Sequence, residues 1–370
     1  MRPARGKAFP VNERHAGAGA HPTRVSPFGQ AAAARRDCDP TLVDLFDRAA
    51  AARRDAVAVE YAGATTSYTR LAAASRTVAA HLARLGVGPG DRVAVRLEPG
   101  AELIAALLGV LRRGAAYVPL DAQSPPSRNR LILADANPRA VIGDVQTAPG
   151  RPAAVLSTTD LSTLIDAAAA EPTSAPAPPA CVPRSGAASP LAPNFDDVCC
   201  HIYTSGTTRR PEAIPIKHRD ITALFDATAS LFDFTPDDAW LLYHSAAADQ
   251  SAWELWGALL HGARLVIADP WTKLCPDACA DLVLVSGVTV LHQTPAEFAT
   301  LNPAIIDRVQ QGARITLRYV VLGGEPFAPE SLGPWVDTFG LDHIPIINMY
   351  SPTEAAAHTI CRRVTAADLP

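Results

Sequence analysis

Long apolar runs are missing from this 370-residue chain: none approaches the roughly 20 residues that a membrane-spanning helix needs. A surplus of one charge is missing too. Lys and Arg number 33 against 37 Asp and Glu, a net −4 at pH 7, which gives no electrostatic footprint for nucleic acid or an anionic membrane as partner. Cysteine is scarce and unpatterned. Seven residues, an odd number without framework spacing, predict free thiols in a reducing cytoplasm. Cys275 and Cys279 stand four apart, but no second Cys/His pair completes a zinc site, and Cys199-Cys200 read as buried strand residues. Residues 1–40 are basic (Arg2, Arg5, Lys7, Arg14, Arg24, Arg35, Arg36) and lack the apolar core of a secretory signal. They are expected to be a disordered tail or linker.

What is present is a chain with 48% apolar and 19% charged residues, long enough for two packed lobes. From Leu42 onward helical and extended periods alternate, the pattern of an α/β protein. Leu71, Ala74, Val78, Leu82 and Leu85 share a helical face that ends at Gly86-Val87-Gly88-Pro89-Gly90, before a strand over 91–97. A helix over 102–113 and an extended stretch over 115–121 follow. The Pro/Ala/Ser-rich residues 171–195 are expected to link a first α/β lobe, 41–170, to a second, 196–370. In the second lobe the pattern predicts a helix over 251–260 and strands over 264–268, 288–291, 318–322 and 344–349. Ligands of open α/β sheets bind in the loops that end such strands.

One of those loops has the composition of a phosphate cradle. Thr204, Ser205, Gly206, Thr207 and Thr208 directly follow the apolar run Val198–Tyr203, so backbone N–H groups and rotatable hydroxyls converge on one point. The Walker pattern G-x-x-x-x-G-K-[ST] is absent. By itself a cluster of this kind is a turn. Asn348-Met349-Tyr350-Ser351-Pro352-Thr353-Glu354 ends a later strand and offers a flat ring, an amide, a hydroxyl and a carboxylate; read alone, it is a turn with a helix cap. Asp249, just ahead of a helix, reads alone as an N-terminal charge partner.

Taken together and in order, these segments resemble the amino-acid-activating adenylation domains of nonribosomal peptide synthetases, which belong to the adenylate-forming enzymes. The likeness runs from about Leu42 to Arg363. It includes Leu85–Val93, Leu111–Asp121, the Tyr203–Glu212 loop, His244–Gly262, Gly323-Gly324-Glu325 and Asn348–Glu354. The resemblance implies two mixed α/β lobes, ATP and Mg2+ as cofactors, and formation of an aminoacyl-adenylate with release of pyrophosphate. It implies phosphate contacts from Thr204, Ser205, Thr207, Thr208 and Thr353, with Gly206 in the turn. Gly323, Gly324, Glu325, Asn348 and Tyr350 would hold the nucleotide, and Glu354 the magnesium. Asp249 would pair with the substrate α-amino group. Gln250, Trp253, His292, Val321, Gly323, Met349, Ala357 and His358 would line a pocket suited to a small polar amino acid, threonine- or serine-like. A carrier protein or a C-terminal adenylation subdomain would be the partner, and the sequence reads as stopping ahead of that subdomain.

Arg209, Glu212 and Ala213 stand where the family has Gly, Lys and Gly, and Ala246 and Ala248 replace its usual aromatics. A carboxylate roughly 4 Å from a phosphate oxygen, at an effective dielectric of about 20, is repelled by at most ~4 kcal/mol. Two other readings therefore stay open: a degenerate AMP-binding fragment without catalysis, and an acyl- or aryl-acid ligase of the same superfamily.

Overall fold

The inner strand segments are short runs buried on both faces, which suits parallel sheets covered by helices. A computed structural model of the chain describes residues 39–145, 154–170, 194–204, 211–350 and 360–369 and arranges them as two such sheets. The strands are β1 (Val57–Tyr61), β2 (Ala64–Ser67), β3 (Arg92–Val95), β4 (Ala116–Pro119), β5 (Ala140–Ile142), β6 (Ala154–Leu156) and β7 (Val198–Thr204). They continue with β8 (Glu212–Lys217), β9 (Ala239–Leu242), β10 (Arg264–Ile267), β11 (Val290–Gln293), β12 (Tyr319–Gly323), β13 (Ile346–Tyr350) and β14 (Ile360–Arg363).

One sheet has eight strands in the order β14-β13-β12-β11-β9-β10-β1-β2; the other has six in the order β6-β5-β3-β4-β7-β8. Pairing is parallel inside both sheets and antiparallel at the β14, β2 and β8 edges. The α/β expectation holds. The sheets, however, do not follow the two stretches of chain: β1 and β2 join the eight-stranded sheet, while β7 and β8 close the six-stranded one. Periodicity reports which residues extend, not which edge they find. Here β1 pairs with β10 and β7 with β4.

Each sheet reverses its strand order once. In the larger sheet β9 sits between β11 and β10, and in the smaller β3 sits between β5 and β4. At such a switch point the loops leave in opposite directions and open a crevice beyond the carboxyl ends of the strands. Helices seal the faces around it. Leu241, Val266, Leu291, Phe298, Val320, Trp335 and Ile346 form one buried cluster on the larger sheet, and Ala94, Val118, Ile132 and Val141 another on the smaller. Cys199 and Cys200 are buried in β7, as their position predicts. Among the described residues no helix is long and apolar enough to cross a membrane.

Candidate active site at the strand-order reversal

Helix Gln250–His261 begins at the end of the loop that follows β9. Asp249 is its N-cap, and Oδ1 accepts the Gln250 backbone N–H at 2.9 Å. Gln250 turns toward the end of β12: Nε2 lies 2.5 Å from where a methyl group on Gly324 would stand. Gly324 has φ +80°, a left-handed conformation that favours glycine.

Gly323 closes β12 in register with Met349 of β13, and His292 of β11 pairs with Val321. A methyl group on Gly323 would sit 2.7 Å from the Met349 carbonyl oxygen and 3.2 Å from Nε2 of His292. Gln250, His292, Gly323, Gly324 and Met349 are thus gathered at the carboxyl ends of neighbouring strands, with Val321 buried between His292 and Ile347. Trp253, on the same helix as Gln250, is buried in an aromatic cluster, stacked on Phe225 at 4.9 Å and 5.7 Å from Trp240. Gly323→Ala drives Cβ into a backbone carbonyl that cannot rotate away, so it is expected to lose about 1–3 kcal/mol of stability, read from urea denaturation.

The remaining predicted residues are placed in part. Thr204 ends β7 opposite Glu212 at the start of β8, so the hydroxyl-rich loop is spanned by a paired hairpin, and Glu212 is exposed at its far end. Arg128 donates from Nη2 to the Tyr203 carbonyl at 3.1 Å, at the base of that loop. Half-buried Asn348 and the backbone of Tyr350 belong to β13, and exposed Glu325 follows Gly324. Ser205, Gly206, Thr207, Thr208, Arg209, Ser351, Thr353, Glu354, Ala357 and His358 lie outside the described residues, as do 1–38 and the 171–193 part of the expected linker.

Sequence reasoning missed the charged network behind this wall. Glu254, within the otherwise apolar run Trp253–Leu260 of its helix, is fully buried. Its Oε2 accepts the backbone N–H groups of Tyr243 and His244, each at 3.0 Å. Nδ1 of His244 meets Oε1 at 2.5 Å, while Nε2 faces Oε2 of Glu297 at 3.3 Å. Glu297 is anchored by the capping box of helix Pro295–Gln310, where the Thr294 N–H donates to it at 2.8 Å. With a carboxylate against each ring nitrogen, His244 is held as an imidazolium. Burial alone would lower its pKa, but the Glu254 charge and hydrogen bond outweigh that and push it up to about 10. Burial likewise opposes ionisation of Glu254, yet the facing His244 pulls its pKa down to about 2.

Nδ1 of His292 lies 3.5 Å from the same Oε1. Donor atoms of His244, Glu254 and His292 all fall within 4.8 Å of one another, a spacing a metal ion could bridge. The 2.5 Å contact from His244 instead places a proton where the ion would sit. A lone acid in the apolar run Trp253–Leu260 was the available signal, since such a residue is almost never fully buried unpaired.

On the other side of His244 a cavity of ≈ 500 Å³ opens between the two sheets. It is lined by Pro119 to Gln123 beyond β4, Tyr243 and His244 beyond β9, and by Lys273 and Glu297. Burial lowers the Lys273 pKa, against the charges of Glu254, Asp121 and Glu297. None of Asp249, Gln250, His292, Gly323 or Met349 is among its lining residues.

Known proteins are similar to this chain in sequence and fold. The chain is 36% identical over 312 residues to syringomycin synthase SyrB1 of Pseudomonas syringae pv. syringae, covering 84% of this chain and 48% of that protein. It is 36% identical over 310 residues to a dimodular nonribosomal peptide synthase of Bacillus subtilis, covering 82% of this chain and 12% of that one. It therefore spans about half the length, or less, of these relatives. Among solved structures, the AMPPNP-bound form of the nonribosomal peptide synthetase FmoA3 superposes with a TM-score of 0.73 at 26% identity, over 91% of this chain and 34% of that one. The N-terminal subdomain of Klebsiella oxytoca NpsA, in complex with 3-hydroxybenzoyl-AMSN, gives 0.73 at 26% identity, over 89% and 77%. The family model described as AMP-binding enzyme matches residues 46–370, nearly the whole of both sheets, and the chain belongs to that family.

Proposed function

We propose that this chain activates an amino acid with ATP, forming an aminoacyl-adenylate for nonribosomal peptide synthesis, and that the amino acid is small and polar, threonine- or serine-like. The observation that carries the reading is the gathering of Gln250, His292, Gly323 and Met349 beside the helix that Asp249 caps. Asp249 would take the ammonium group, and the pocket wall would take the side chain. A substrate carboxylate oxygen attacks the α-phosphorus in line as the bond to pyrophosphate breaks, so positioning and charge neutralisation account for the rate. Thr204, Ser205, Gly206, Thr207, Thr208 and Thr353 would surround the phosphates, and Gly323, Gly324, Glu325, Asn348 and Tyr350 the adenosine. Glu354 offers the carboxylate oxygen that magnesium prefers and would hold that ion, which neutralises phosphate charge when bound. Transfer to a carrier protein in the cytoplasm would follow.

Calorimetric titration with Mg–ATP, then with threonine, serine, phenylalanine and salicylate, tests the reading. Threonine or serine binds best if it is right; a preference for phenylalanine or for the amine-free acid refutes it.

Exposed Glu212 at the loop's end favours a second reading, nucleotide binding without catalysis. Glu212→Lys exchanges a phosphate-repelling charge for an attracting one. It is expected to tighten ATP binding by about tenfold, or ~1.4 kcal/mol, in the same titration. An unchanged affinity would show that Glu212 is remote from the triphosphate.

A further inference from the structure

Helix Pro126–Ala136 grips one residue of β7 at two points. Arg128 donates from Nη2 to the Tyr203 carbonyl at 3.1 Å, and the Tyr203 phenol donates to Oδ2 of Asp135 at 2.6 Å. Arg128 and Asp135 are seven residues apart, which puts them on one face of the helix, about 10 Å from each other along its axis. Ile132 stands between them in sequence, and it shares a buried cluster with the Tyr203 ring. Burial, and then the bond to Asp135, push the phenol pKa up, so Tyr203 keeps the proton it donates. The helix is itself braced, because Nδ2 of buried Asn129 donates to the Asp121 carbonyl at 3.1 Å.

Tyr203 lies past the point where β7 meets β4. That parallel pairing joins Cys200 to Tyr117, three residues earlier, whereas β8 follows the other edge of β7 as far as the Thr204 and Glu212 pair. Arg128 supplies the donor that a neighbouring strand would otherwise give the Tyr203 carbonyl. The Tyr203 carbonyl and the Thr204 N–H belong to one planar trans peptide and point opposite ways. Holding the carbonyl on Arg128 therefore fixes the direction of the Thr204 N–H and the plane in which Thr204 stands. We propose that Arg128 and Asp135 are positioning residues for the triphosphate: by gripping Tyr203 they aim Thr204 at the phosphates. This rests on the nucleotide reading proposed above and adds to it a helix outside every loop assigned to the nucleotide. A charged donor makes the stronger hydrogen bond. It also leaves a positive charge near Thr204, opposite in sign to Glu212, with which Thr204 is paired.

Titration of the folded chain with Mg–ATP and, separately, with adenosine tests the proposal, since only the first carries phosphate. Arg128→Gln should weaken Mg–ATP by about tenfold and adenosine by less than about twofold. Arg128→Lys keeps the charge and a donor and should bring Mg–ATP back to within about threefold of the parent. Tyr203→Phe removes only the bond to Asp135 and carries the same test by a smaller change, about threefold on Mg–ATP alone. A merely structural role would weaken both ligands alike. Equal losses for Mg–ATP and adenosine, or an unchanged Mg–ATP affinity in Arg128→Gln and Tyr203→Phe, overturn the proposal. Backbone hydrogen exchange without ligand reads the grip itself: the amides at the Thr204 and Glu212 end of the hairpin should exchange about tenfold faster in Arg128→Gln, while those of β11 and β12 keep their rates. Unchanged exchange at that end also overturns it. A parent that binds Mg–ATP no more tightly than adenosine refutes the phosphate assignment of Thr204 and the proposal with it, and the exchange rates then report on the grip alone.

Discussion

Glu254→Ala is expected to lower the stability of the fold by roughly 3–5 kcal/mol, because it strips a buried imidazolium of its counter-charge and leaves two backbone N–H groups without an acceptor. Urea denaturation measures it. The pH dependence gives an independent signature. The His244 pKa is raised from 6.5 to about 10, so its contribution is full below pH 6.5 and is lost as pH rises through about 10. The Glu254 pKa is lowered from 4.5 to about 2, so its contribution is full above pH 4.5 and is lost as pH falls toward about 2. The pair therefore stabilises most between those two ordinary values, and stability should decline on the alkaline side. In Glu254→Ala the part of that decline due to His244 should disappear. A variant as stable as the parent, with the same alkaline slope, would mean that the buried pair does not form.

Asp249→Asn should weaken binding of threonine or serine by about 30-fold or more, or at least ~2 kcal/mol, by removing the proposed counter-charge for the ammonium group. Asparagine caps a helix about as well as aspartate, so the N-terminus of helix Gln250–His261 should stay intact and stability should change by less than about 0.5 kcal/mol. Asp249→Ala loses both functions and should cost about 1 kcal/mol more in stability. The pair of variants separates the two readings of one carboxylate. If Asp249→Asn binds amino acid as the parent does while Asp249→Ala is merely less stable, Asp249 is a cap and nothing more.

How far the sequence could be read follows from what each signal encodes. Alternation of apolar periods placed the helix at Gln250–His261, against an expected 251–260, and β13 at Ile346–Tyr350, against 344–349. Ordered motifs pointed to the residues that meet beside Gly323. Sheet order was not legible, since the edge that β1 finds on β10 lies some 200 residues away and leaves no local trace. The Glu254 network was hidden because neither helical nor strand periodicity reports which side chains meet across elements. His244, Glu254, His292 and Glu297 come from four elements, the loop after β9, helix Gln250–His261, β11 and helix Pro295–Gln310, and only their juxtaposition makes them partners. The aromatic neighbours of Trp253, Phe225 and Trp240, were likewise not legible, since rings on a buried helix face meet through packing.

The most direct test of the central claim is calorimetric titration of the folded chain with a non-hydrolysable threonyl-adenylate analogue and, in parallel, its 3-hydroxybenzoyl counterpart. Each joins nucleotide and acyl group in one ligand, so it reports on both halves of the site at once. One-to-one binding of the threonyl analogue, tighter than AMP or threonine alone and tighter than the aryl analogue, is the predicted result. Tighter binding of the aryl analogue, or no binding of either, would contradict it.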